Sequence, residues 1–120
     1  MGKPYHSELC KLSETYRWAV SQEITGLVKA IKSSAHLPLL AVGSGGSLSA
    51  AEIMVSCHQN YFGSIARTAT PLEVLSAVPS NGRASIWFFT AGGGNIDIKR
   101  SFEHTLLLEP KQVAAIVGRV

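Results

Sequence analysis

Apolar residues in the first quarter of the chain fall at Leu9, Leu12, Tyr16, Val20, Ile24, Leu27 and Ile31. The steps between them are all three or four, which predicts a long amphipathic helix over 7–33. Its other side carries Lys11, Glu14, Arg17, Ser21 and Lys29. Gly26 interrupts the stripe, as a bend or as a break into two helices. The pattern changes after Pro38. "LLAV" at 39–42 reads as a short strand. Leu48 to His58 reads as a deeply packed helix with apolar residues nearly all round, among them Cys57, and Gly63 closes it. A second strand is predicted over 64–70 and a brief helix over 72–77, opened by Pro71. "PSNG" at 79–82 is a turn. "ASIWFFT" at 84–90 has no polar alternation and so reads as a central strand. A helix over 96–108, stopped by Pro110, and a strand over 112–117, "QVAAIV", complete the order.

A helix followed by alternating strands and helices predicts an α/β fold. The expected architecture is a parallel sheet of about four strands with helices on both faces. The expected division is an N-terminal helical segment at 1–37 and the sheet domain at 38–120. An apolar last strand is a poor exposed edge. Either the molecule is a fragment of a longer protein, the favoured reading, or another chain covers that edge.

Composition narrows the function. The chain has 120 residues, 46% of them hydrophobic and 16% charged, with a net charge of +3. The Lys and Arg residues are dispersed and do not alternate with aromatics, which argues against nucleic-acid binding. The two cysteines, Cys10 and Cys57, form no CxxC pair, and the four histidines are scattered. A zinc site or a disulfide framework is therefore not expected. There is no signal-peptide core and no apolar run of membrane-spanning length. The expectation is a cytoplasmic protein without membrane or nucleic-acid partners.

Two stretches share one layout of apolar strand, glycine-rich turn and helix: "AVGSGGSLS" at 41–49 and "FTAGGGNID" at 89–97. In a parallel sheet both lie at the carboxyl ends of their strands, where ligands settle. Helix N-termini behind such loops present unpaired N–H groups that attract phosphate. A P-loop would need GK[ST], which is absent, and GxGxxG fails at its third glycine after Gly43 and Gly45. No metal and no cofactor is called for.

Together with "ATPLEVL" at 69–75, these loops resemble the sugar isomerase (SIS) domain of phosphosugar-binding and phosphosugar-isomerising proteins. The first SIS loop is typically Gly-x-Gly-Thr/Gly-Ser and the later one commonly Ser-x-Ser-Gly-x-Thr/Asn-x-Asp. The resemblance implies a five-stranded parallel sheet in flavodoxin-type order, of which this chain would supply four strands, a sugar-phosphate ligand and a homodimer or larger homo-oligomer. It implies phosphate contacts from Gly45, Gly46, Ser47, Thr90, Gly92, Gly93, Gly94 and Asn95. Thr90 keeps the hydroxyl of the first loop serine, and Asp97 matches a structural Asp. Gly92 stands where the family has a second Ser, leaving main-chain donors there. Aldose–ketose isomerisation needs a general base, and Glu73, after the second strand, is the local candidate, with a solvated helix glutamate as the plainer reading. Glu52 and His58 suit internal or interface roles, and His104 lies far from the loops. Three functions stay open: the N-terminal part of a sugar-phosphate isomerase, a non-catalytic SIS sensor, and an assembly module.

Overall fold

Proline at position 38 ends the helical periodicity, and the four apolar residues behind it are buried on both faces as a strand. The computed structural model describes residues 9–76, 83–92 and 95–117. The expected turn at 79–82, Gly93 and Gly94 lie outside the described residues. Helices α1 (Leu12–Ser21) and α2 (Thr25–Ser34) precede β1 (Leu39–Val42), α3 (Gly46–Phe62), β2 (Ala66–Ala69) and α4 (Pro71–Leu75). Then follow β3 (Ser85–Thr90), α5 (Ile96–Leu107) and β4 (Gln112–Val117). All pairings among the described strands are parallel, in the order β2-β1-β3-β4. This is the flavodoxin-type arrangement expected. β3 lies inside the sheet, and β4 forms an edge whose Ile116 and Val117 are exposed.

The pleat sends alternate residues to opposite faces, and each face has its own core. Leu40, Val42, Ile86 and Phe88 meet Val74 of α4 and Phe102 of α5. Phe88 and Phe102 pack edge to face, with ring centroids 5.3 Å apart. Leu39, Ala41, Trp87 and Phe89 meet Ala51 and Met54 of α3, with Ala30 and Ile31 of α2 beside them. Fully burying one such aliphatic or aromatic side chain contributes roughly 1.5–3 kcal/mol, so the two layers supply most of the adhesion. A polar chain crosses the second layer. Trp87 Nε1 donates to Ser85 Oγ at 2.9 Å, and Ser85 Oγ donates to Gln112 Oε1 at 3.1 Å. Gln112 Nε2 then donates to the Ala30 carbonyl at 3.1 Å. This satisfies buried polar groups and ties β3, β4 and α2 together.

The helical segment divides into two, and the break falls at Gln22–Ile24 rather than at Gly26. Gln22 has extended backbone, and the Glu23 carboxylate accepts the Thr25 N–H at 2.8 Å, satisfying an orphan donor of the new helix. Gly26 sits inside the first turn of α2. Only α2 reaches the sheet. α1 buries none of its residues, so Leu12, Tyr16 and Val20 remain exposed although their spacing suits a packed face.

α3 also departs from expectation. It buries only Ala51 and His58, while Ile53 is 66% exposed and Tyr61 82% exposed. A helix lying on one sheet layer can bury one stripe. Among the described residues nothing covers the other side, so Cys57 is exposed and not a core residue. His58 does take the internal role foreseen for it. Its Nε2 lies 2.9 Å from the Leu37 carbonyl, which can only accept, so Nε2 carries the proton.

Candidate functional site

Gly43 follows β1 and continues its pairing by donating to the Ala69 carbonyl at 3.1 Å. A Cβ on Gly43 would lie 2.6 Å from the Ser47 carbonyl oxygen, so the chain comes back over this position with no room for a side chain. Gly45 then adopts φ +59°, in the left-handed region that glycine enters without strain, and stands at the N-cap of α3. These two glycines account for the tight strand-to-helix turn. Replacing Gly43 by Ala should displace the start of α3 and cost about 1–3 kcal/mol, as overpacking does. Chemical denaturation followed by circular dichroism checks this, and an unchanged midpoint would refute the close approach.

The turn leaves its helix end open. Ser47 N–H bonds the Ser44 carbonyl at 3.2 Å, and Leu48 N–H bonds the Gly45 carbonyl at 3.1 Å. No side chain caps α3. Among the described residues, the N–H groups of Gly45 and Gly46 and the hydroxyls of Ser44 and Ser47 have no hydrogen-bond partner. These donors collect at the positive end of the helix dipole.

The second loop, from β3, meets them. Ser44, Ser47, Phe89, Thr90, Gly92 and Asn95 border one cleft of about 260 Å³. An adjoining recess of about 460 Å³ shares Ser44, Ser47, Phe89 and Thr90 and extends to Gly46. The larger recess falls in the usual range of small-molecule sites, roughly 300–1,000 Å³. The two helix ends differ. Asn95 Oδ1 accepts from the Asp97 N–H at 2.9 Å and the Ile98 N–H at 3.2 Å, so α5 is capped from within. What Asn95 leaves for a ligand is its Nδ2 amide. The open end belongs to α3.

Of the residues expected at the site, Gly46, Ser47, Thr90, Gly92 and Asn95 line these recesses, and Gly45 forms the turn beside them. Ser44, which the sequence reading passed over, borders both. Its signal was a second hydroxyl inside the same "GSGGS" loop.

Glu73 does not line either recess. It is the third residue of α4 and closes a capping box with Thr70. Its Oε1 accepts from the Thr70 N–H and the Thr70 hydroxyl, each at 3.0 Å, while its own N–H donates to Thr70 Oγ1 at 3.3 Å. The Thr70 backbone N–H, then the Thr70 hydroxyl, hold the carboxyl below its ordinary value of 4.5, and the charge of Arg67 adds to this. The ionised form is therefore favoured on folding. Its contribution is present above the unfolded value and is lost as pH falls through the lower folded value. Wild type should exceed Glu73→Gln in stability above about pH 4.5, and the two should converge in more acid solution. Denaturation series against pH would show this, and a gap that persists in acid would contradict it.

The fold and the cleft together define a doubly wound α/β domain with a polar recess at the carboxyl ends of its strands. In sequence, no protein-family model and no curated protein matches the chain. In structure, it is similar to a protein from Listeria monocytogenes described as a "putative sugar-phosphate isomerase", with a TM-score of 0.69 at 15% identity. The match covers 97% of this chain and 66% of that one, so the chain spans about two thirds of the length of its structural neighbour. At this identity the likeness is one of fold. No helix of the described residues is long and apolar enough to cross a membrane.

Proposed function

We propose that the chain binds a sugar phosphate in the cleft between the β1 and β3 loops. The observation that carries this reading is the uncapped N-terminus of α3, whose free N–H groups and two serine hydroxyls face a recess shared with the second loop. The phosphate rests on Gly45, Gly46, Ser44 and Ser47, with Thr90 and the Asn95 amide across the cleft. The sugar extends into the larger recess. The SIS-like loop motifs and the fold of the Listeria protein support a sugar phosphate over other phosphate compounds.

The side chains bordering both recesses are neutral. They bind and orient, whereas moving a proton between adjacent carbons needs a base. The engagement of Glu73 with Thr70 favours, as a second reading, a domain that binds without turnover. An isomerase built on this chain would draw its base from residues outside the cleft described.

Calorimetric titration with fructose 6-phosphate, glucosamine 6-phosphate, a pentose phosphate and inorganic phosphate tests the proposal. A sugar phosphate should bind more tightly than phosphate itself. Asn95→Asp keeps a good helix cap but removes the amide donor and adds a negative charge, so it should bind sugar phosphate at least tenfold more weakly, by loss of a charge-assisted hydrogen bond. Absence of binding by the folded wild type would refute the proposal.

A further inference from the structure

The amino ends of the strands carry a second recess, of about 150 Å³, bordered by Pro38, Leu40, Ile65, Ala84, Arg67 and Arg83. It lies at the opposite end of the sheet from the glycine loops. A six-residue strand such as β3 spans about 20 Å, so the two recesses are separate. Arg67 pairs in register with Leu40 on the edge strand β2. A single charge there would serve to blunt an exposed edge. Arg83 has no such role, since it precedes β3, which pairs on both sides. Yet it borders the same recess.

Two arginines border one recess, and like charges brought to one place repel each other. Among the described residues neither guanidinium forms an ion pair or a hydrogen bond. Arg67 pulls through space on the Glu73 carboxyl, but that group already accepts twice from Thr70. The recess therefore borders two planar donors, Arg67 partly balanced through space by ionised Glu73 and Arg83 not, and their fork geometry matches carboxylate and phosphate oxygens. We infer that it binds a small oxyanion, a carboxylate or phosphate on a short apolar group, with Arg67 and Arg83 on the oxygens and Pro38 and Ile65 against the stem.

The Arg Nε–H signals of the full chain in nitrogen-15 spectra test this directly, with Arg67→Gln and Arg83→Gln supplying their assignment. Inorganic phosphate and butyrate are the probes. The signals of Arg67 and Arg83 should shift together and saturate with at least one probe. Saturation by butyrate alone identifies a carboxylate site, and saturation by phosphate alone a phosphate site. Each Gln variant should weaken binding roughly tenfold, as loss of a charged hydrogen bond does. Both side chains are exposed, so these variants should fold. Shifts that never saturate, or Gln variants that bind as tightly as wild type, would overturn the inference. Ser44→Ala with Ser47→Ala should leave these signals unchanged while weakening sugar-phosphate binding roughly 30-fold or more, so failure here and failure of the proposed function are told apart.

Discussion

Trp87→Ala should be the most damaging single substitution in the sheet, costing about 3–5 kcal/mol. Trp87 is 1% exposed at the middle of β3, where its ring joins the layer formed with α3 and α2. Truncation would open a cavity that β1 and β3, each paired on both sides, cannot collapse. It would also remove the Nε1 donor to Ser85, the first link of the chain running through Gln112 to the Ala30 carbonyl. Trp87→Phe separates the two effects, since it keeps most of the packing and loses only the donor. The expected cost is then near 1 kcal/mol, the net worth of one hydrogen bond. Urea denaturation followed by circular dichroism measures both. Equal losses in the two variants would mean that the hydrogen-bond chain, not the ring, holds the layer.

The difference between legible and illegible features follows from how locally each was encoded. β1 at 39–42 and β4 at 112–117 match their predicted spans, because Pro38, the first glycine loop and Pro110 punctuate them. β3 loses only Ala84 from its predicted span, and α5 only Leu108. β2 is shorter than the predicted 64–70, since the Ser64 hydroxyl donates to the Ala35 carbonyl, before the strand begins. α4 starts at Pro71 itself, and α3 extends beyond both predicted ends, to Gly46 and Phe62. Burial was harder to read. The apolar residues around α3 suggested packing on all sides, yet composition does not say how many layers lie over a helix. The same holds for the α1 stripe, whose spacing is regular but whose partner is not encoded nearby. At the site, glycine and hydroxyl positions were legible as a loop type. That Asn95 spends its carbonyl on α5 while α3 stays uncapped depends on backbone geometry that no spacing reveals.

This asymmetry makes the two serines of the first loop, rather than Asn95, the decisive positions for ligand binding. In Ser44→Ala with Ser47→Ala, affinity for a sugar phosphate should fall roughly 30-fold or more. Hydrogen bonds to a charged group contribute about 1.5–3 kcal/mol each, and tenfold corresponds to about 1.4 kcal/mol. The loss should not come through the fold. Among the described residues neither hydroxyl holds another group, and the turn is closed by main-chain bonds that the substitutions leave in place. Ligand-free thermal midpoints should therefore coincide, while the upward shift given by a saturating sugar phosphate should shrink in the variant, because that shift follows ligand concentration relative to Kd. Ser47→Thr keeps a hydroxyl at the second position and should retain most of the affinity in a Ser44 background. If the double variant instead binds as tightly as wild type, the phosphate does not sit on the α3 N-terminus. The glycines of this loop would then serve the turn alone.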